Sequence, residues 1–495
     1  MTNGMFVEPF KNPPRVPRIA LVNDEGEFID ENGDTFNLNE EYKFRLGEVV
    51  VFILWDTAMS LVRNEKGEIL RWNTKDIRWR AIRYPDENIW KPRPFDAGII
   101  QFPLGFDYRF EKIMKQLIEY RDWLVSEGAK PHCSSGTTSL SLLRAKLDGK
   151  LITGLGSCPP IKYTRGGRTL MGLEGKGQFE GKIIHWDLPA AYASTMGNIF
   201  YNGSWEVRPF NSAVKAYNRG APVFCQATVE IPGLHFGPLP ETIRRGNNPL
   251  EGAMLNAFGY AKDGTVNGVW TLDELIAAEE VGCKITPEIS WAMLSARQPF
   301  LPWWNAIQRG RELSGEISRS LAKRAGNALW GMFCTDPDSR VKKVIVHCEK
   351  GKTKTRRIEF RRNAQKPGHD LAEAISGSVR AKLYQHVVIA DKHLICGHTD
   401  GIWVKGNYDA PEGWKVKQMA RRIDVLDPQT FRYFHGRQQV GIVMAGIPPK
   451  LAEEKFEQRW VKYERGKARK GDMSSMRKTN SNTRRVRRIS NPDNL

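Results

Sequence analysis

The sequence lacks the features that would place it in a membrane-bound or disulfide-stabilised class. Its longest apolar run, from Val49 to Trp55, is far shorter than a membrane-spanning helix. Its first residues do not combine a basic start with an apolar core, so no secretory signal is expected. The seven cysteines include no CxxC pair, which argues against a disulfide framework or a zinc ribbon. We therefore expect a cytoplasmic protein that has no membrane partner.

Acidic side chains are also scarce relative to basic ones. The 495 residues include 75 Lys+Arg against 56 Asp+Glu, so the formal net charge is +19. Residues 461–495 account for +8 of this excess and contain few large apolar residues, which predicts a disordered basic tail. The rest of the chain still holds +11, and nucleic acid is the first polyanionic partner that this balance indicates. The alternative is a solubility tail on an unrelated enzyme.

The pattern of apolar residues predicts both helices and strands, in a chain long enough for two to four domains. Apolar residues at helical spacing predict helices over Asp107–Ala129, Ser134–Leu147 and, as one long stretch, Trp303–Phe333. Short segments rich in β-branched residues predict buried strands, among them 223–231 and the strand KIIHWD that ends at Asp187.

The first segment suited to chemistry surrounds Asp187. This carboxylate ends a predicted strand, and Tyr192 follows five residues later. A carboxylate at a strand end can bind a divalent cation. The commoner explanation is an Asp that caps the helix after the strand.

The second segment contains Asp400, at the tip of a predicted hairpin between apolar strands. An Asp-Gly pair is frequent in such turns for structural reasons, because it tolerates positive φ. If both carboxylates are functional, however, Asp187 and Asp400 can together hold two Mg²⁺ ions, for which Mn²⁺ can substitute. Such a pair would activate a hydroxyl and hold a triphosphate, which is the chemistry of nucleotidyl transfer.

The third segment is a predicted helix with a cationic face. Three side chains recur at i, i+4 and i+8, a further arginine precedes them by about two turns, and an aromatic residue and a glycine follow. These residues are Arg319, Lys323 and Asn327, then Arg311, and finally Trp330 and Gly331. A solvated basic face is the alternative. Cations followed by a flat ring nevertheless suit the triphosphate and base of a nucleotide.

Taken in order, these segments resemble the motifs of family B DNA polymerases, most of all the small viral, often protein-primed, branch. Asp187–Ser194 is similar to DxxSLYPS, Lys323–Gly331 to KxxxNSxYG, and His398–Gly401 to the DTDS turn. Tyr163–Arg168 is similar to the YxGG linker that precedes the palm. The three main motifs are separated by about 135 and about 75 residues, as in the family.

The resemblance implies an α+β fold of the right-hand polymerase type. A palm with an antiparallel sheet, helical fingers and a small thumb would stand behind a reduced exonuclease-like, RNase H-like domain. The implied divisions are 1–130 for the exonuclease-like domain, 131–300 for the linker and the first part of the palm with an insertion loop, 301–335 for the fingers, 336–425 for the rest of the palm, 426–460 for the thumb and 461–495 for the tail.

The resemblance also implies a role for each matching residue. Asp187 and Asp400 would ligate the metal ions, together with the backbone carbonyl of Leu188, and Tyr192 would exclude the ribose 2′-hydroxyl. The remaining roles are nucleotide binding by Arg311, Arg319, Lys323 and Asn327, a border of the nascent base pair by Trp330 and Gly331, and template contacts by Tyr163 and Arg168.

The sequence departs from the family pattern beside the second carboxylate. His398 stands where the family has the first Asp of its turn, which removes one negative charge. No clear Lys-x-Tyr motif follows, and either Gln429–Phe431 or Arg432–Tyr433 is a candidate for the primer-strand contact.

The family's 3′–5′ exonuclease pattern is incomplete. Asp56, Asp96 and Asp107 are its nearest matches, but one acidic position is missing and the last two lie too close in sequence. We therefore expect no proofreading activity.

The resulting hypothesis is a DNA-templated DNA polymerase that extends a 3′-hydroxyl, or the hydroxyl of a protein primer, in viral or mobile-element replication. Its partners would be primer–template DNA, dNTPs and a terminal priming protein. A primase-polymerase that starts chains de novo and a non-catalytic DNA-binding protein are the alternatives.

Overall fold

The computed structural model describes most of the chain in fifteen segments. They are residues 6–22, 27–37, 49–54, 98–100, 109–132, 134–153, 155–161, 164–165, 167–241, 259–293, 297–334, 340–349, 352–361, 368–444 and 452–466. In these segments no helix is both long and apolar enough to cross a membrane. The chain divides into two compact units, unit 1 comprising Met1–Gly166 and Ala190–Tyr384, and unit 2 comprising Gly167–Pro189 and Gln385–Leu495.

Unit 1 begins with a five-stranded sheet in which β2 is central. Strand β3 pairs with β2 and with β4 in antiparallel register, whereas β5 pairs with β2, and β6 with β5, in parallel. The apolar run that begins at Val49 forms β5, and its Phe52 is buried. In sheet order the strands are β4 (Thr35–Asn37), β3 (Glu27–Asp30), β2 (Arg18–Val22), β5 (Val49–Leu54) and β6 (Gly98–Ile100).

A second five-stranded sheet of unit 1 is built around the strand predicted at 223–231, which is confirmed as β12. It alternates buried and less buried residues, as expected for a sheet with one face against the core. In sheet order the strands are β15 (Gly264–Thr271), β12 (Val223–Ile231), β16 (Lys284–Ala292), β11 (Ser204–Arg208) and β8 (Leu155–Gly156).

In the described residues of unit 1, three further pairs of strands form. The longest is a ribbon of two ten-residue strands, β17 and β18, in antiparallel register from Arg340–Arg361 to Glu349–Lys352. The pairs are β1 (Phe6–Val7) with β7 (Leu151–Ile152), β13 (Pro240–Glu241) with β14 (Gly259–Tyr260), and β17 (Arg340–Glu349) with β18 (Lys352–Arg361).

The described helices of unit 1 contribute to a shared apolar core. The predicted helix that opens with Ser134 is confirmed, since the Ser134 side chain caps the backbone N–H of Thr137 at 3.1 Å. In the part of the unit that the structure describes, the helices are α1 (Phe110–Ser126), α2 (Ser135–Lys146), α3 (Ala191–Asn198), α4 (Phe210–Tyr217), α5 (Leu272–Glu279), α6 (Leu301–Gly310), α7 (Glu316–Phe333) and α8 (His369–Ala390), the last of which contains the division point between the units.

The single helix predicted over Trp303–Phe333 is wrong, because the chain forms two helices there. A turn at residues 311–315 separates α6 from α7. Gly310 ends α6 against the Trp123 ring, where a β-carbon would lie 2.5 Å from the nearest ring atom. The turn is thus set by contacts with α1, which helical spacing alone does not reveal.

Unit 2 contains a seven-stranded antiparallel sheet built from two distant parts of the chain. Strand β10 lies between β20 and β21, and this arrangement brings residues near 187 and 401 together. In sheet order the strands are β23 (Gln438–Met444), β22 (Thr430–His435), β21 (Lys415–Asp427), β10 (Gly177–Asp187), β20 (Gly401–Lys405), β19 (Leu394–Thr399) and β9 (Arg168–Met171).

A helix over residues 452–466, α9, follows this sheet and corrects the predicted start of the disordered tail at Val461. Phe456 is fully buried, and Trp460 and Tyr463 pack against the same cluster. The Tyr463 hydroxyl also donates to the Lys176 carbonyl at 2.8 Å. These aromatic residues recur at helical spacing, so apolar packing extends the helix into the basic segment. Residues 467–495 lie outside the described residues.

Candidate active site

Asp187 and Asp400, the two carboxylates singled out in the sequence, lie at the same end of two neighbouring strands. Asp187 is the last residue of β10 and pairs across the sheet with Gly401, the first residue of β20. The backbone N–H of Leu188 donates to the Asp400 carbonyl at 2.8 Å, which connects the two segments directly. The N-cap of α3 is Ala190, so the capping role considered for Asp187 is wrong.

The predicted hairpin with Asp400 at its tip is confirmed: the last β19–β20 pair is His398 with Gly401, and Thr399 and Asp400 lie between them. The residue with positive φ is Thr399, at 56°, and not the glycine of the Asp-Gly pair. A left-handed conformation is costly for a β-branched residue, on the order of 1–3 kcal/mol. The Thr399 hydroxyl donates to Asp400 Oδ1 at 2.8 Å and so orients the carboxylate.

The glycine at 401 is required for close approach. A β-carbon there would lie 2.7 Å from His185 Nε2, 2.9 Å from the Trp186 carbonyl oxygen and 3.4 Å from Asp187 Oδ1. The Asp-Gly sequence therefore keeps side-chain atoms away from the space beside the Asp187 carboxylate.

The electrostatics of Asp400 reflect a second nearby carboxylate. Burial raises the pKa of Asp400 above its usual value, and the negative charge of Asp187 raises it further. The Thr399 hydrogen bond and the positive charge of Lys417 act in the opposite direction. The pair therefore concentrates negative charge that a cation would neutralise.

Lys417 is a residue of this site that the sequence reasoning missed. Its Nζ atom donates to Asp187 Oδ1 at 2.7 Å. The register between β10 and β21 shifts at this point, since His185 pairs with Gln418 but Trp186 pairs with Val416. Lys417 is the extra residue of this β-bulge, and such bulges redirect side chains.

Two histidines lie next to the carboxylates. His185 stacks on Trp403 with ring centroids 4.5 Å apart, and burial, assisted by Lys417, lowers its pKa to about 4. Burial also lowers the pKa of His398, which lies 3.3 Å from Gln429 Nε2 through its own Nε2 atom. His185 is therefore neutral at neutral pH.

The donor chemistry of the carboxylate pair suits a hard divalent cation. Within the described segments, no group of three or more His, Cys, Asp or Glu side chains could hold a metal ion. Two carboxylates supply oxygen ligands only, and Mg²⁺ is usually bound by one or two carboxylates together with water and substrate phosphates. The residues at Asp187 and Asp400 thus fit Mg²⁺ better than Zn²⁺, which favours histidine and cysteine ligands.

Tyr192 and Trp330 are brought together within unit 1. Their ring centroids lie 4.7 Å apart. The Trp330 indole N–H donates to the Ala372 carbonyl at 3.1 Å and to the Ser376 hydroxyl at 3.0 Å, which fixes the ring against α8. Gly326 of α7 packs against Ile307, where a β-carbon would lie 2.9 Å away, so α7 lies close to α6. The Tyr192 ring is therefore supported by an indole that is itself held in place.

The predicted face of α7 is confirmed for the three residues at helical spacing. Arg319, Lys323 and Asn327 are all exposed, whereas Leu321 and Ala325 are buried. The Arg319 guanidinium donates to the carbonyls of residues 313 and 314, at 2.8 and 2.7 Å, and thereby stabilises the turn that precedes its own helix.

Arg311 does not extend this row of α7, contrary to the helix prediction. It follows the last residue of α6, where its backbone N–H donates to the carbonyls at the end of that helix. The break between the two helices removes the continuous helical spacing on which the prediction depended.

Glu119 of α1 holds the start of α7 and was also missed in the sequence. Its carboxylate accepts hydrogen bonds from the backbone N–H groups of Ser314 and Gly315, at 2.8 and 3.0 Å, and from two serine hydroxyls. Burial alone would raise the pKa of Glu119, but these bonds outweigh it and lower the pKa to about 2. The residue lies about 200 positions from its partners, so no local pattern identifies it.

The structure describes some of the remaining predicted site residues and leaves others outside the described segments. Arg168 is 2% exposed, and its backbone pairs with Thr399 at the edge of the hairpin. At Gly331 a β-carbon would meet no atom within 4 Å, so the surface beside it is open. Tyr163 lies outside the described residues, as do Asp56, Asp96 and Asp107.

Taken whole, the chain has an α+β fold similar to that of a family B DNA polymerase. No protein-family model matches the sequence, and neither does any curated protein sequence. The structure is similar to Phi29 DNA polymerase in its ternary complex with primer–template DNA and incoming nucleotides, with a TM-score of 0.54, 13% identity and coverage of 88% of this chain and 94% of that one. The binary complex of the same enzyme with primer–template DNA has a TM-score of 0.51 and 12% identity, over 88% of this chain and 94% of that one. An orthorhombic crystal form has a TM-score of 0.50 and 14% identity, over 71% of this chain and 68% of that one. At these identities the similarity is one of fold.

Proposed function

We propose that the protein is a DNA-templated DNA polymerase that joins dNTPs to a 3′-hydroxyl by two-metal nucleotidyl transfer. The observation that supports this most strongly is the pairing of Asp187 with Gly401, which brings the carboxylates of residues 187 and 400 to one end of a sheet. Similarity to a polymerase bound to primer–template DNA and nucleotides favours the same chemistry.

In the proposed reaction, the chain's own residues position the reactants. Asp187, Asp400 and the Leu188 carbonyl would hold two Mg²⁺ ions, or Mn²⁺ ions. Such ions lower the pKa of the attacking hydroxyl and neutralise charge on the triphosphate and the leaving pyrophosphate. The Thr399 hydroxyl keeps the Asp400 carboxylate oriented. The glycine at 401 leaves room beside Asp187.

The residues of unit 1 would select and bind the nucleotide. Lys323 and Asn327 would contact the incoming dNTP from the exposed face of α7. Tyr192, supported by Trp330, excludes a 2′-hydroxyl by steric contact. In addition, we propose triphosphate contacts by Arg311 and Arg319, a base-pair border at Trp330 and Gly331, and template contacts near Tyr163 and Arg168.

The proposed domain divisions follow from the same interpretation. The order β4–β3–β2–β5–β6, with three antiparallel strands followed by two parallel ones, supports an RNase H-like domain within residues 1–130. Its carboxylate pattern is incomplete in the sequence, so we propose that proofreading is absent. A 3′-labelled single strand incubated with Mg²⁺ should remain intact, and its degradation would contradict this proposal.

Primer extension tests the polymerase directly. The full chain should extend a primed template with Mg²⁺ and dNTPs, and Asp400→Asn should reduce the rate by at least a hundredfold. Asp409→Asn is a matched control, because Asp409 is exposed and lies nine residues away. If Asp400→Asn extends the primer as fast as the control, the two-metal assignment is wrong.

An unprimed template, assayed in parallel, distinguishes the alternatives. Products on primed DNA alone support a primer-dependent polymerase, whereas products on unprimed DNA indicate a primase-polymerase. DNA binding without products on either template would indicate a non-catalytic binding protein. Viral or mobile-element replication with a terminal priming protein is part of the proposal, and that protein's hydroxyl would then replace the primer end.

A further inference from the structure

Lys417 is placed on Asp187 by a specific backbone irregularity. In a regular ladder, consecutive residues of β21 would face consecutive residues of β10. Here Trp186 pairs with Val416 and His185 with Gln418, so Lys417 has no partner of its own in β10. Its ammonium instead approaches Asp187 Oδ1 at 2.7 Å.

This ion pair is partly exposed to solvent, so another cation can replace Lys417 at the Asp187 carboxylate. The Lys417 side chain is 51% exposed, and the Asp187 carboxylate is 19% exposed. Ion pairs at such partly exposed positions contribute about 1 kcal/mol or less. A divalent cation ligated by the same carboxylate interacts with twice the charge, so it can compete for the oxygen that Lys417 contacts.

We propose that Lys417 is a positioning residue that competes with divalent metal for Asp187 and thereby sets the metal affinity of the carboxylate pair. The ammonium keeps the carboxylate aimed across the end of the sheet, and metal binding requires the ammonium to move aside. This inference depends on the proposed function, because it takes Asp187 and Asp400 as metal ligands.

The competition has a definite direction. A positive charge within about 4–5 Å of a divalent ion weakens its binding even at the dielectric constant of water. Removal of the Lys417 charge should therefore tighten metal binding roughly tenfold at low ionic strength. The effect should decrease as salt screens the interaction.

The experiment is a titration of the full chain with Mn²⁺, with free Mn²⁺ measured by electron paramagnetic resonance and no nucleotide or DNA present. Lys417→Gln should bind Mn²⁺ roughly tenfold more tightly than wild type. Lys417→Arg, which retains the charge, should bind like wild type. Lys405→Gln is the matched control. It removes the same charge at the other end of β20, roughly 13 Å from the residue that pairs with Asp187, and should change the affinity for Mn²⁺ little.

Two results overturn the proposal while leaving the metal site intact. Either Asp400→Asn abolishes Mn²⁺ binding while Lys417→Gln has wild-type affinity, or Lys417→Gln binds Mn²⁺ more weakly than wild type. If wild type binds no Mn²⁺, or if Asp400→Asn binds as much Mn²⁺ as wild type, the metal site of the proposed function is wrong, and this inference is wrong with it.

Discussion

Gly401 faces Asp187 across the central strand pair of unit 2, and an added β-carbon at position 401 would lie 3.4 Å from Asp187 Oδ1. The same β-carbon would overlap His185 Nε2 and the Trp186 carbonyl, at 2.7 and 2.9 Å. A side chain at position 401 would therefore affect both the packing of the sheet and the space beside Asp187, a candidate metal ligand.

Gly401→Ala should therefore reduce both stability and primer extension. We expect a loss of about 2 kcal/mol in the free energy of unfolding, because backbone atoms of β10 must shift. Gly397→Ala on β19 is the control, since its β-carbon would meet mainly Leu170 and Ile402 side-chain atoms at 3.3–3.4 Å. Denaturant unfolding of both variants checks the prediction, which fails if the two lose equal stability.

Asp400→Asn should stabilise the protein at neutral pH while it removes activity. The raised pKa of Asp400 means that its contribution to stability is present in full below its ordinary pKa and is lost as the pH rises through the raised value. The neutral amide avoids this loss, so the free energy of unfolding should rise at pH 7 and change little near pH 3. Urea unfolding at both pH values measures it, and equal effects at the two would contradict the prediction.

Trp330→Ala should weaken discrimination against ribonucleotides, because the indole supports the Tyr192 ring at 4.7 Å. Incorporation of rNTPs relative to dNTPs should increase about tenfold, and Tyr192→Ala should increase it at least as much. Trp330→Phe retains an aromatic surface and should preserve most of the selectivity. Single-nucleotide extension kinetics measure the ratio, and unchanged selectivity in Trp330→Ala would remove its supporting role.

His386 should make the protein less stable in mild acid. Its ring lies 4.0 Å from that of Trp414 and 5.4 Å from that of Tyr408, and burial lowers its pKa to about 4. A lowered histidine pKa gives stability that is present above about pH 6.5 and is lost as the pH falls toward 4. His386→Phe should flatten the slope of the unfolding free energy by up to about 1.4 kcal/mol per pH unit in this window. A slope equal to that of wild type would contradict it.

Removal of residues 467–495 should change the salt dependence of DNA binding. This segment contains nine of the basic residues, and a cut after residue 466 retains α9. The slope of log affinity against log salt should decrease in magnitude by several units, while extension at low salt persists. Fluorescence anisotropy across a salt series checks it, and an unchanged slope would separate the tail from DNA binding.

The sequence predicted the parts of the site that depend on local pattern. The strand ending at Asp187, the hairpin around Asp400 and the exposed spacing of Lys323 and Asn327 all follow from periodicity and turn chemistry, and the structure confirms them. The sequence also predicted that the two carboxylates act together on metal ions, from the chemistry of the segments around them, and the resemblance to polymerase motifs added their order and spacing.

What the sequence did not reveal depends on register and on distant contacts. The bulge that directs Lys417 onto Asp187 is a property of the pairing between β10 and β21, whose partners lie more than 200 residues apart. The break before α7 depends on Glu119, far away in α1. Neither feature leaves a pattern in the neighbouring sequence, because the contacting residues are distant in the chain and meet only when it folds.

The order of the strands in unit 2 has a consequence for the protein as it is synthesised. Strand β10 emerges from the ribosome before both of its neighbours in the sheet, which begin at or after residue 401. Strand β10, with Asp187 at its end, therefore cannot pair with either neighbour until more than 200 further residues have been translated. Closing so long a loop slows folding, and the carboxylate pair is assembled only after β20 has joined β10.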